Sequence, residues 1–390
     1  MKIVIYNDSK VFGGHEQMVL SFGNYVAHNP QLGIELHWFY SPKNRRLAIE
    51  LESFASLAPK MRFYHINSIS GFPIVSQCQG LFYLAGLIRS FSILRPDIIL
   101  SVQGLINISW LALVAARYIG IPAWCYLPMA YKKNEYNIRF AFLRDITDHY
   151  LYHLPNSYIT ISQFQKELLV ERGVDASRIN VVPNGIPIIP KNRVAKIRSN
   201  QYIVALVGRV DIKQKGHMLL INAVDRFRDR FIAENIVFRI IGDGPHLNLI
   251  KEKVAALSLS DLIQFHPWNQ DKGLLYAGID MLIMPSRFEG VPLVMLEGLQ
   301  LGLPVVASNI PAFKEFLPSQ WLFSSGDPTD LLEKVLAVKI ESSDRIREIM
   351  RETVLDQYSV ESFCKAFVSI IQSLVYVKEK KETVVLNHLS

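Results

Sequence analysis

The sequence predicts an α/β protein made of two doubly wound, Rossmann-like domains in succession. Three observations carry the prediction. Short β-branched apolar runs alternate with longer segments of helical period, the alternation stops at a proline-rich turn, and it then restarts.

In the first half, Ile3–Tyr6, Glu35–Tyr40, Ile98–Val102, Ala123–Tyr126 and Ser157–Ile161 read as strands. Between them, Glu16–His28, Gly80–Leu94 and Ile108–Ile119 carry apolar residues at three- and four-residue spacing and read as helices. The pause is Pro183-Asn184-Gly185-Ile186-Pro187-Ile188-Ile189-Pro190, followed by a polar stretch. In the second half, Tyr202–Val207, Val237–Ile241, Leu262–His266, Met281–Met284 and Val305–Ala307 read as strands. The expected limits are 1–190 for the first domain, 191–200 for a linker and 201–356 for the second domain. A helix over 357–377 is expected to cross back toward the first domain, and 378–390 to fray.

Composition narrows the class. Half of the 390 residues are apolar and 20% are charged, so a core can be buried. The three cysteines, Cys78, Cys125 and Cys364, show no C-x-x-C spacing, which suggests neither a disulfide framework nor a thiolate metal site and fits a reducing cytoplasm. His149 and His153 share a helical spacing with Asp145 and Asp148 nearby, but no H-E-x-x-H pattern accompanies them, and no metal is expected. No signal-peptide pattern opens the chain, and no apolar run approaches the ~20 residues that span a bilayer. The formal net charge of +7 suits an anionic surface or a phosphorylated substrate, but no basic run interleaved with aromatics points to nucleic acid.

The densest chemistry lies at Pro285-Ser286-Arg287-Phe288-Glu289-Gly290-Val291-Pro292-Leu293-Val294-Met295-Leu296-Glu297. A buried strand ends at Pro285 and a helix is expected to start at Pro292, which places the loop at the carboxyl edge of a parallel sheet. The free amides of Leu293 and Val294 at that helix start suit a phosphate. Glu289 and Glu297 stand at different depths along one ligand and can accept from its hydroxyls. The ordinary alternative is one exposed loop acid and one solvated helix acid. Val207-Gly208-Arg209 and Lys215-Gly216 add two cations on one glycine-hinged loop, suited to the charge of a departing diphosphate.

Together with Ile241-Gly242-Asp243-Gly244-Pro245, Gly302-Leu303-Pro304-Val305-Val306-Ala307-Ser308, Ile161-Ser162-Gln163 and Val181-Val182-Pro183-Asn184-Gly185-Ile186, these motifs resemble the family-four retaining glycosyltransferases (glycosyl transferases group 1). The ordered set covers most of residues 157–330 and is specific, although each motif alone is not. The resemblance implies the GT-B fold, two Rossmann-like domains facing each other across a deep cleft. It implies that Arg209 and Lys215 bind the donor diphosphate, that Glu289 touches the donor sugar and that Glu297 holds the ribose. Gly208 and Gly290 flank the same donor, and Trp268 after the strand Leu262–His266 is a candidate for the base pocket. Phe12-Gly13-Gly14-His15-Glu16 resembles the family's glycine loop, with Gly13 and Gly14 facing the donor phosphates and the acceptor.

One departure stands out. Many relatives carry a histidine after the strand matching Ala123–Tyr126; here the chain reads Trp124-Cys125-Tyr126-Leu127-Pro128-Met129. Tyr126 is a substitute for it or a packed core tyrosine.

The expected activity is transfer of a sugar, with retention and without metal or cofactor, from a nucleotide diphosphate donor to a glycan, lipid-linked or other hydroxyl acceptor. Polysaccharide biosynthesis, a cytoplasmic location and peripheral contact with the inner face of a membrane go with that reading. Rival readings are a nucleotide-sugar epimerase, a sugar-phosphate synthase and a non-catalytic nucleotide-sugar-binding protein. A dinucleotide oxidoreductase lacks its G-x-G-x-x-G fingerprint here.

Overall fold

The fold was analysed in a computed structural model that describes all residues except 56–59, 67–74, 132–147, 191–199, 342–343 and 388–390. Two compact units result, Met1–Gly185 with Val360–Ser390, and Ile186–Ser359.

The first unit holds a seven-stranded sheet: β1 Lys2–Asn7, β2 Glu35–Tyr40, β3 Met61–His65, β4 Ile98–Val102, β5 Ala123–Tyr126, β6 Ser157–Thr160 and β7 Ile179–Val181. Their order is β3-β2-β1-β4-β5-β6-β7, and every pairing is parallel. The strands most buried on both faces are the apolar runs, because parallel strands carry helices on each side. Crossovers include α1 Gly14–His28, α2 Arg45–Ala55, α3 Val75–Leu94, α4 Trp110–Ile119 and α5 Gln163–Glu171. Trp38, Phe39 and Tyr40 lie in this core, while Phe72 falls outside the described residues.

The second unit repeats the plan with six parallel strands: β8 Tyr202–Val207, β9 Ile236–Ile241, β10 Ile263–His266, β11 Met281–Met284, β12 Val305–Ser308 and β13 Leu322–Phe323. The order is β10-β9-β8-β11-β12-β13. Helices α6 His217–Arg226, α7 Arg228–Ala233, α8 Leu247–Ala256, α9 Lys272–Leu275, α10 Leu293–Gln300, α11 Pro311–Lys314, α12 Pro328–Glu341 and α13 Asp344–Gln357 link them.

In both sheets the first strand is central and the winding reverses beside it, between β1 and β4 and between β8 and β11. Loops that leave the carboxyl ends of those pairs diverge to opposite faces and open a crevice. The glycine loop after β1 and the cation loop after β8 both leave from such points.

Several limits differ from the sequence expectation. The chain leaves the first unit at Gly185, not at 190. Gln300 explains this: its side chain accepts from the Ile189 amide (2.7 Å) and donates to the Pro187 carbonyl (3.2 Å), tying the proline turn to the second unit. The expected linker lies, apart from Asn200, outside the described residues. The return crossing pairs with the outward one, as the Ile186 amide donates to the Tyr358 carbonyl at 2.8 Å. The last helix, α14 Val360–Asn387, continues beyond the 377 limit into the stretch expected to fray. It packs on α1 within the first unit, with Phe367 4.9 Å from Phe22 between ring centroids.

Candidate active site

In the second unit the site is built by close approach of backbone. Gly208 ends β8 with φ 140, Gly216 closes the loop with φ 69 and Gly242 follows β9 with φ 145. A Cβ on Gly242 would sit 2.0 Å from the Gly208 carbonyl oxygen, and one on Gly216 would sit 1.8 Å from that of Pro285. No side chain fits such contacts, so these glycines clamp the loops after β8, β9 and β11 against one another. Backbone bonds complete the clamp: Gly208 donates to Ile241 (2.9 Å), Val210 to Asp243 (2.9 Å) and Arg287 to Gln214 (2.8 Å).

This clamp brings Lys215 to Glu289. Lys215 Nζ donates to Glu289 Oε1 at 2.7 Å, and Ser286 Oγ donates to the same oxygen at 2.7 Å. Gln214 Nε2 reaches Oε2 at 3.3 Å, and the Gln214 amide oxygen accepts from Arg209 at 3.3 Å. Arg209 is exposed and lies 3.5 Å from Asp211. Gly290 is buried beside Glu289.

Pro292 is the N-cap of α10 and not its first helical residue, because its ψ of 125 is extended. Its carbonyl takes the amides of Met295 (3.1 Å) and Leu296 (3.3 Å). The amides of Leu293 and Val294 precede the first intrahelical bonds, at the positive end of the helix. One and a half turns on, the Glu297 carboxylate accepts from Tyr276 Oη at 2.6 Å and from Lys272 Nζ at 2.8 Å and 2.9 Å. Burial, and then the Glu297 charge, push the Tyr276 hydroxyl well above its usual range, so it remains a donor. Lys272 Nζ also stands 4.7 Å over the half-buried Trp268 ring.

Both glutamates are therefore buried, at 4% exposure each, and each accepts from at least two donor groups, with acceptor capacity left on the carboxylate. The alternative of an exposed loop acid plus a solvated helix acid is overturned. Four contributors escaped sequence reasoning. Ser286 stood inside the quoted motif without a role, and Gln214 looked like any loop polar residue. Lys272 and Tyr276 lie 25 and 21 positions from Glu297, and no sequence pattern links them to it.

In the first unit, Gly13 is the N-cap of α1 with φ −141, and Gly14 is the exposed first residue of the helix. The Gly13 amide donates to Glu16 Oε2 at 2.7 Å, and Asn7 Nδ2 to Oε1 at 3.1 Å. His15 Nε2 lies 2.8 Å from Glu16 Oε1. Burial would raise the Glu16 carboxyl, but His15, Asn7 and the Gly13 amide together hold it below the usual range. Glu16 thus caps its own helix. Asp8 is held by the Ser109 amide (3.0 Å) and hydroxyl (2.8 Å), which joins the loops after β1 and β4 at the switch point.

Tyr126 is a core residue. It is fully buried, donates to Asn184 Oδ1 at 3.2 Å and packs edge-on against Phe367 at 5.8 Å. It does not stand in for the histidine of the resemblance. His149 and His153 stack edge to face 4.8 Å apart, and Asp145 lies outside the described residues. Among the described residues no group of three or more His, Cys, Asp or Glu gathers as a metal site would.

Comparison with known proteins agrees with this architecture. The Glycosyltransferase Family 4 model matches residues 12–188 and the Glycosyl transferases group 1 model matches residues 201–339. A UDP-Gal:alpha-D-GlcNAc-diphosphoundecaprenol alpha-1,3-galactosyltransferase of Escherichia coli is 29% identical over 164 residues, 39% of this chain and 42% of the relative. An uncharacterized glycosyltransferase of Haemophilus influenzae is 29% identical over 160 residues, 41% of this chain and 44% of the relative. These matches span less than half of each relative's own length. Among solved structures, Anabaena HepE in complex with UDP-glucose superposes with a TM-score of 0.75 at 15% identity, over 96% of this chain and 100% of the other. The lipopolysaccharide outer core galactosyltransferase WaaB does so at 0.70 and 18%, over 96% and 99%. Two parallel α/β domains with this strand order, each matched by its own family model, make the chain a member of the family-4 glycosyltransferases of GT-B fold.

Proposed function

We propose that the protein transfers a hexose from a uridine diphosphate sugar to a hydroxyl of a lipid-linked or glycan acceptor, with retention and without a metal ion. The observation that carries the reading is the Lys215–Glu289 pair at 2.7 Å, its carboxylate buried and its ammonium half-buried, beside Arg209 on a glycine-clamped loop. The names of the Escherichia coli relative and of the HepE complex support a uridine donor.

In this reading the bond between the anomeric carbon and the donor phosphate oxygen breaks, and negative charge builds on the diphosphate. Arg209, Lys215 and the Leu293 and Val294 amides face that charge, the work a divalent cation performs in other transferases. Glu289 accepts from hydroxyls of the sugar and orients it. Glu297, steadied by Tyr276 and Lys272, accepts from the ribose, and the Trp268 ring borders the base. The acceptor oxygen attacks the face from which the phosphate departs, and the departing phosphate oxygen takes its proton.

Lys215→Ala and Glu289→Ala should each lower kcat/KM by about 10²–10³ with the fold intact, as for removal of other fixed transition-state groups. Near-normal turnover in both purified variants would refute the assignment. Transfer should persist in excess chelator, and a product of the same anomeric configuration as the donor should appear by NMR; loss of activity or inversion removes the corresponding part of the proposal.

A further inference from the structure

The turn after β2 carries polar groups that the first unit does not use. Ser41-Pro42-Lys43-Asn44 closes through the Asn44 amide on the Ser41 carbonyl at 3.0 Å, with proline at its second position. Asn44 then caps α2. Its carbonyl accepts from the Ala48 amide at 3.0 Å, and its Oδ1 accepts from the Leu47 amide at 3.3 Å. That second bond fixes which end of the carboxamide is oxygen, because the Leu47 amide can only donate. Nδ2 is therefore turned away from Leu47, ahead of the first turn. Asn44 is 1% exposed and Ser41 0%, yet Asn44 Nδ2 and Ser41 Oγ have no hydrogen-bond partner among the described residues. Buried donors without acceptors are costly, and a ligand is one way to satisfy them.

The charge here is the reverse of what a helix start favours. Residues 41–48 hold Lys43, Arg45 and Arg46, all exposed, and no aspartate or glutamate. Cations at the positive end of a helix oppose its dipole, and none of the three meets a carboxylate among the described residues. The Arg45 and Arg46 amides, at the first positions of α2, have no partner within the helix. The Arg46 guanidinium lies 4.2 Å over the Phe12 ring, one residue before Gly13. The Ser41 amide also donates to the Asn7 carbonyl at 3.1 Å. This turn and the glycine loop therefore stand side by side at the carboxyl edge of the first sheet. A local arrangement that works against the fold on its own is expected where a ligand completes it.

We propose that the start of α2 is an anion site that takes the phosphate or diphosphate of the sugar acceptor. The Arg45 and Arg46 amides, Asn44 Nδ2 and the three cations converge on its oxygens, and the Phe12 ring pre-orders one guanidinium. A phosphate gives Asn44 an acceptor and turns three opposed charges into favourable ones. A neutral glycan would leave those charges uncompensated. The donor diphosphate is already provided for by Arg209 and Lys215 in the second unit, so a phosphate site in the first falls to the other substrate. That last step rests on the transferase reading; the binding of phosphate does not.

Inorganic diphosphate, titrated calorimetrically into the full chain saturated with UDP, tests the site. One binding event should remain, and it should weaken as salt is raised. Arg45→Gln with Arg46→Gln should weaken it at least about tenfold. Asn44→Asp keeps the cap on Leu47 and suits the helix dipole, so its melting temperature should hold while the same event weakens at least about tenfold. A cap with only a structural role would not produce that split. UDP affinity should be unaltered in every variant. No event in the UDP-saturated wild type, an event that both folded variants retain, or an equal loss of UDP binding overturns the site. At saturating donor, diphosphate should raise the KM for a sugar diphosphate on a short alkyl chain and leave kcat unchanged. Inhibition with an unchanged KM would make the anion a free effector and overturn the acceptor assignment. If no form transfers sugar to any acceptor, the enzymatic reading fails while the titration stands.

Discussion

The two units place a glycine-bearing loop at the same point of the same winding, yet the glycines do different work. In the second unit, Gly208, Gly216 and Gly242 adopt φ of 140, 69 and 145, and at Gly216 and Gly242 carbonyl oxygens occupy the space where a Cβ would go. In the first, Gly13 has φ −141, and a Cβ would find Glu16 Oε2 at 3.4 Å and His15 Nδ1 at 3.5 Å. One loop is required by backbone packing. The other is permitted by it, so any need for glycine there must come from what approaches the loop.

The sharpest way to break this contrast is Gly216→Ala or Gly242→Ala. Each forces a methyl into a carbonyl at about half a normal contact distance and imposes a positive φ on an L residue. A loss of more than about 3 kcal/mol is expected, from overpacking and backbone strain together. Thermal or urea unfolding should show the second unit melting early, with donor binding lost. Wild-type stability in either variant would show that the loops are looser than the clamp requires.

The same contrast explains what could be read in the sequence. Gly208, Gly216 and Gly242 were legible because steric demand leaves one residue type at each position, and the cations between them follow from the loop they shape. Both doubly wound sheets were legible from apolar runs such as Ile98–Val102 and Met281–Met284, whose observed limits are those expected. The short strands β3, β7 and β13 were not, because edge strands are half-exposed or very short and lose the apolar signal. The surroundings of Glu297 were also hidden. Tyr276 and Lys272 reach it only through the fold, and a tyrosine in a four-residue helix region carries no pattern of its own.

Acid should separate the units next. At the start of α6, His217 is fully buried, and burial pushes its imidazole down to about 4. The neighbouring Asp211 backbone and carboxylate offset only part of that burial cost. Between pH ~6.5 and about 4 the unfolded chain takes up a proton that the folded unit refuses, so stability falls as pH falls through that window. The shift corresponds to about 3 kcal/mol. Glu16, the charged counterpart at the start of α1, is held low, so its contribution persists above its unfolded value and fades only as pH falls below it. The second unit should therefore soften first on acidification, and His217→Leu should flatten its melting profile between pH ~6.5 and ~4. An unchanged profile would mean that water or motion already relieves the ring.

A smaller loss is expected from Tyr276→Phe. It removes one donor at 2.6 Å from Glu297 and leaves the Lys272 pair. Hydrogen bonds to a buried charge contribute about 1.5–3 kcal/mol, and the retained ammonium should keep the loss near the lower end. If Glu297 holds the ribose, KM for the donor should rise more than kcat falls. Equal kcat and KM with a lower melting temperature would leave Tyr276 a purely structural donor.

The least disruptive substitution is the most informative about ligand approach. Gly13→Ala meets only side-chain atoms at ordinary contact distance, in an extended backbone conformation open to any residue, and the Gly13 amide can still donate to Glu16. Stability should change by less than about 1 kcal/mol, because no carbonyl is displaced and no strained φ is imposed. If phosphates or the acceptor pass close to this loop, the added methyl should nevertheless raise KM or lower kcat several-fold. A variant with unaltered stability and unaltered kinetics would detach the first-unit glycine loop from the reaction. One that unfolds like Gly216→Ala would erase the difference between the two loops.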